Sequence, residues 1–132
     1  MKPFIQIIIL LTLIFMCSCQ QQCNRNKNAE DFEQFYDAFF SDAEFQNSRL
    51  QFPLKGSYTD FDTVMKWEKN NWEFLSFQIL SADTSEFDIR DDRTDMEILQ
   101  GMYCKGCGYS LEIKFELINK KWFLTYLQEN NF

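Results

Sequence analysis

Apolar and polar positions along the chain change their spacing several times, and each change predicts a different element. Residues 4–16 form an apolar run broken only by Gln6 and Thr12. A membrane span needs about 20 apolar residues, whereas ~7 to 15 is the size of a signal-peptide core, so this run predicts an export signal that takes no part in the fold. Residues 20–28 are polar and without period, as a flexible tether should be. Apolar positions then recur at helical spacing, with Phe32, Phe35, Tyr36, Phe39 and Ala43 on one stripe, Asn28 as candidate N-cap, and Glu30 and Asp31 in the electropositive first turn. Ser41-Asp42-Ala43-Glu44 has the form of a capping box, which predicts a break near Phe40 and a second helix to about Ser48. Leu50-Gln51-Phe52 reads as a short strand halted by Pro53.

Beyond this point the period becomes two. Residues 72–80, 94–103, 109–118 and 121–128 alternate and are rich in β-branched and aromatic side chains, which predicts strands; in the third, Leu111, Ile113, Phe115 and Leu117 face one way and Glu112, Lys114 and Glu116 the other. Asn119-Lys120 joins the last two as a two-residue turn. The pattern over residues 60–71 is weaker and is read as a short helix over 64–69. Helices followed by a run of strands predict an α+β fold, N-terminal helices packed on a curved antiparallel sheet, in a single domain over residues 29–132.

Met16-Cys17-Ser18-Cys19, where the apolar run ends, resembles the lipobox of bacterial lipoproteins. Ser18 supplies the small residue that precedes the acylated cysteine, so the resemblance implies cleavage after residue 18, lipidation of Cys19 and a tether over residues 19–28; Cys17, preceded by the bulky Met16, is the alternative. Two fatty chains anchor a protein stably where one is marginal. The expected setting is the cell envelope, lipid-anchored. Gln20 to Gln22 carry none of the acidic residues associated with surface display in Bacteroidota, which favours an outer membrane position facing the periplasm.

Charge narrows the partners. A net charge of −7 repels nucleic acid and anionic lipid, leaving the membrane contact to the anchor and the recognition to a small apolar ligand or an envelope protein. The chain has no histidine, which removes the commonest general base and metal ligand, and with it every Ser-His or Cys-His nucleophile pair. No cofactor and no metal are expected.

Residues 31–40, Phe45-Gln46, Arg49, Phe52-Pro53-Leu54, Trp72 and the closing Phe115-Glu116-Leu117-Ile118-Asn119-Lys120-Lys121-Trp122 hairpin together resemble a family of uncharacterised Bacteroidota lipoproteins whose fold is similar to nuclear transport factor 2. The likeness spans roughly residues 30 to 130. It implies a cone-shaped domain whose mouth often holds a small apolar ligand, and no catalytic residues to carry over. Such folds host enzymes as well as binding and assembly domains.

Cys104-Lys105-Gly106-Cys107-Gly108 is the sharpest local motif. A zinc ribbon would need a second pair of thiols, and a thioredoxin-like motif would open a helix, whereas this one joins two strands. A Cys104–Cys107 disulfide is expected in an oxidising compartment, with free thiols, metal or redox activity as alternatives. The acidic stretch over residues 86–95 lacks the ligand register of a calcium loop and reads as a solvated loop balanced by Arg90 and Arg93. Tyr58, Trp72, Tyr103 and Tyr126 are the candidate ligand-binding residues. The expected function is a non-enzymatic binding or assembly domain; the alternative is an enzyme in which a pocket carboxylate and a tyrosine do acid-base work without histidine or metal.

Overall fold

A computed structural model describes residues 28–132. Two short helices, α1 (Phe32–Ser41) and α2 (Ala43–Ser48), lie against a sheet of six strands: β1 (Leu50–Asp60), β2 (Thr63–Trp67), β3 (Phe87–Arg93), β4 (Glu97–Cys104), β5 (Tyr109–Ile118) and β6 (Lys121–Asn131). The strand order is β2-β1-β6-β5-β4-β3. This is the expected α+β arrangement of helices on a curved sheet, with one difference: β1 runs parallel to β6, and every other pairing is antiparallel. The chain enters β1 directly from α2 and is pinned alongside the last strand at once, the Leu124 amide donating to the Arg49 carbonyl at 3.0 Å.

The helical stripe is buried as its spacing requires, with Phe35, Tyr36, Phe39 and Phe40 turned inward. Their rings surround Phe115 of β5 at centroid distances of 5.3 to 6.5 Å, mostly edge to face, a geometry that contributes about 0.5–1.5 kcal/mol per pair beyond burial. Both caps sit further in than expected: Asp31, three residues past Asn28, caps α1 by accepting from the Gln34 amide, and Asp42, one past Ser41, caps α2 by accepting from the amides of Glu44 and Phe45. In both places a carboxylate, which bonds an amide more strongly than a neutral oxygen, takes the cap.

Three segments depart from the periodic reading. Residues 64–69 are not helical; β2 occupies Thr63–Trp67 and pairs with β1. Pro53 does not end β1, because it falls in the register slip between Leu50 and Lys55, where neither neighbouring strand offers it a partner and its missing N–H leaves no gap. Residues 72–80 form no strand, and residues 87–93 of the expected acidic loop are strand β3, the edge partner of β4.

The chain between β2 and β3 is fixed by a side chain instead of a ladder. Gln46, fully buried on α2, donates to the carbonyls of Phe39 (2.8 Å) and Leu75 (2.9 Å) and accepts from the Leu75 amide (3.0 Å) and the Trp72 indole (3.3 Å). Phe39 lies near the end of α1, so its carbonyl is one of the orphans that a helix terminus leaves. The hairpin between β5 and β6 turns at Asn119 and Lys120, both at positive φ as a two-residue turn requires.

Candidate functional site

An open groove of about 760 Å³ lies at one end of the sheet, where α1 begins, β3 and β5 end, and β4 and β6 start. Phe32, Ile98, Leu117 and Trp122 form its floor, Met96 overhangs it, and Glu30, Asp31, Glu33, Asp95 and Arg93 make the rim. Each part is held in place. The Glu30 carboxylate takes both guanidinium nitrogens of Arg49 at 2.7 and 2.8 Å and the Trp122 amide at 2.9 Å, while the Trp122 indole donates to the Glu30 carbonyl at 3.1 Å. Burial pushes the Glu30 carboxyl up, but the bonds from Arg49 and the Trp122 amide, with the charges of Arg49 and Lys121, more than offset this and hold it below its ordinary value. Met96 is set by the turn before β4, in which the Thr94 hydroxyl accepts from the Glu97 amide at 2.9 Å and the Leu117 amide bonds the Met96 carbonyl at 2.9 Å.

A polar chain ties this rim to the core. The Tyr36 hydroxyl donates to Gln100 at 2.9 Å, Gln100 donates to Asp91 at 3.1 Å, and Arg93 bridges Asp91 and Glu33 at 2.8 and 2.5 Å while stacking 5.3 Å from the Phe32 ring centroid. Burial raises the Tyr36 hydroxyl pKa, so that group is a permanent donor. With Glu30 neutralised by Arg49, Asp31, Glu33 and Asp95 against Arg93 leave the rim negative over an apolar floor.

None of the four residues expected to bind ligand lines this groove. Tyr58 and Trp72 lie on the helix-covered side of the sheet toward its other end, linked ring to ring through Trp67 at 6.2 and 6.0 Å. Tyr103 and Tyr126 are on the outer face, on either side of Glu112: Tyr103 donates to the Glu112 carboxylate, and burial with that carboxylate raises both phenols. The sheet therefore separates the two pairs, and they cannot share one ligand. Cys104 and Cys107 are joined as a disulfide across the turn between β4 and β5. Cys19 and its alternative Cys17 lie outside the described residues.

A second cluster was not singled out by sequence. Glu129, half-buried on β6, accepts from the Tyr109 hydroxyl at 3.2 Å, with Tyr58 its neighbour across the β1–β6 ladder. Burial raises the Glu129 carboxyl, opposed by the Tyr109 bond, and burial with the Glu129 charge raises the Tyr109 phenol. Alternation could have found Glu129, had Thr125 not been a bulge: Lys114 pairs Tyr126 and Phe115 pairs Leu124, so the phase of β6 changes at that point. Among the described residues no group of side chains is arranged to hold a metal ion, and no helix is long and apolar enough to cross a membrane.

Short helices on a curved six-stranded sheet define an α+β fold of the kind shared by proteins similar to nuclear transport factor 2 and to cystatin. A protein-family model, described only as “-like”, matches residues 30–132, and the chain belongs to that family. Solved structures of similar fold come from Bacteroides. A protein of Bacteroides uniformis is 25% identical with a TM-score of 0.59, over 75% of this chain and 76% of that one. A cystatin-like protein of Bacteroides caccae is 21% identical with a TM-score of 0.59, over 76% of each chain. A nuclear transport factor 2-like protein of Bacteroides fragilis is 19% identical with a TM-score of 0.55, over 85% of this chain and 50% of that one. No curated protein matches the chain.

Proposed function

We propose that the protein is a lipid-anchored binding domain of the cell envelope, tethered through Cys19 at the outer membrane on its periplasmic side, and that it binds rather than transforms its ligand. The observation that carries the reading is the groove: an apolar floor of Phe32, Ile98, Leu117 and Trp122 under a negative rim, with a volume in the range of small-molecule sites. Its chemistry fits an apolar ligand that carries a basic group, the chain lying on the floor and the cation among Asp31, Glu33 and Asp95. Native mass spectrometry of the protein purified without denaturation tests it. A bound small molecule should be present, and should be lost from Met96→Glu, which places a charge over the floor without entering the core. An unliganded protein, or a ligand that Met96→Glu retains, would contradict the assignment.

A second reading, acid-base catalysis by Glu129 with Tyr109, is favoured by the raised carboxyl and its 3.2 Å phenol bond. Those groups stand away from the groove lining. Carbon-detected NMR titration of Glu129 discriminates: a carboxyl still protonated near neutrality would support this reading, and one ionised well below it would dismiss it.

A further inference from the structure

Among the described residues that line the groove, Arg93 is the only cation, and it already stands where the headgroup of a basic ligand would. Its guanidinium carbon lies 5.3 Å from the centroid of the Phe32 ring on the floor. From there Nη1 donates to the Glu33 carboxylate of α1 at 2.5 Å and Nε to the Asp91 carboxylate of β3 at 2.8 Å. A cation over an aromatic face and between carboxylates is what an alkylammonium would also seek at this rim.

The two bonds of Arg93 are held with unequal security. Asp91 is fixed from behind: its second oxygen accepts from the fully buried Gln100 at 3.1 Å, which in turn accepts from the Tyr36 hydroxyl at 2.9 Å. Glu33 projects from the first turn of α1 with its side chain 67% exposed, and among the described residues no other side chain bonds its carboxylate. An ion pair so open to water is weak, and a competing cation can replace it. Because a guanidinium carries its donors in a fixed fork, Nε can keep Asp91 while Nη1 releases Glu33.

We infer that Arg93 is the groove's internal competitor and determines its selectivity: the ammonium of a ligand displaces the guanidinium from Glu33, while Arg93 stays bonded to Asp91. The inference rests on the groove being the binding site. A neutral or anionic headgroup has no such exchange open to it and leaves the Glu33 to Arg93 pair closed over Phe32. A basic ligand binds only to the extent that it outcompetes a cation the chain itself supplies.

NMR titration of the full chain with dodecylamine, in the parent, Arg93→Gln, Glu33→Gln and the double variant, tests this. Arg93→Gln should tighten amine binding by about threefold to fivefold. In the Glu33→Gln background the same change should alter it by less than about 1.5-fold, because Arg93 then has no bond to give up and its charge remains matched by Asp91. Arg90→Gln is the control: it removes the same charge from the outer face of β3, where Arg90 pairs Asp92, and should leave the amine affinity unchanged. In nitrogen-15 spectra of the arginine side chains, the amine should move the Arg93 Nη signals and leave its Nε signal in place. An equal gain from Arg93→Gln in both backgrounds, or a matching gain from Arg90→Gln, would show a diffuse charge effect and overturn the inference. So would an Arg93→Gln that binds the amine no more tightly than the parent. An amine that shifts neither Met96 nor Trp122 in any of the four proteins would refute the groove as the binding site, and the inference with it.

Discussion

Replacing Gln46 by Leu should destabilise the domain far more than its conservative volume suggests. The side chain is fully buried and closes four hydrogen bonds, to Phe39 O, Leu75 O, Leu75 N and the Trp72 indole. Leucine fills the same space, so no cavity term enters and the loss is polar. Each bond contributes about 1 kcal/mol net, and a buried group left without a partner costs about 1–3 kcal/mol, so the full loss is about 4 kcal/mol or slightly less if residues 72–78 swing out to water. For a domain of this size that corresponds to a fall in melting temperature of roughly 15 to 30 °C. Urea unfolding followed by far-ultraviolet circular dichroism and by tryptophan emission measures it, and Trp72 should redden first if the segment detaches locally. Gln78→Leu is the control: its 3.5 Å bond to Asp37 is long and exposed, and its removal should change stability by less than about 0.5 kcal/mol. If Gln46→Leu cost under about 1 kcal/mol, the assignment of that side chain as the substitute for a strand ladder would be wrong.

Glu30 and Glu129 should give opposite pH dependences. The Glu30 carboxyl is held below its ordinary 4.5, so its contribution is complete above that value and disappears as the pH falls through the folded-state pKa; Glu30→Gln should flatten this acid limb in a series of thermal melts. The Glu129 carboxyl is raised above 4.5, so the folded state holds its proton more tightly and stability drops as the pH rises through that window; Glu129→Gln should be more stable than the parent above it and show no such drop. At the tip of the β5–β6 hairpin Lys120 has a φ of 67°, and Lys120→Gly, keeping the backbone bond from the Glu30 amide, should raise stability by about 0.5–1 kcal/mol in denaturant unfolding.

Strand β5 is legible because Leu111, Ile113, Phe115 and Leu117 are buried on one face without interruption. Strand β3 is not, since past Ile89 both of its faces are polar: an edge strand defended by charge carries no apolar period to read. Residues 72–80 have strand-like composition and still form none, because Gln46, distant in sequence, satisfies Leu75 from the side. The same limit applies to the site. Tyr58, Trp72, Tyr103 and Tyr126 are conspicuous by residue type, but alternation and the Thr125 bulge send Tyr103 and Tyr126 to the outer face. The groove is assembled from the approach to α1, the turn before β4 and the β5–β6 hairpin, so its members become neighbours only through topology.

The decisive property of the groove is whether it binds a basic apolar ligand. Methyl and indole NMR of the protein titrated with dodecylamine, and in parallel with dodecanoate, tests this most directly. The amine should shift the signals of Met96, Ile98, Leu117 and Trp122 saturably and at lower concentration than the carboxylate, leaving Trp67 and Trp72 unmoved. Equal response to both headgroups, or shifts confined to Trp67 and Trp72, would contradict it.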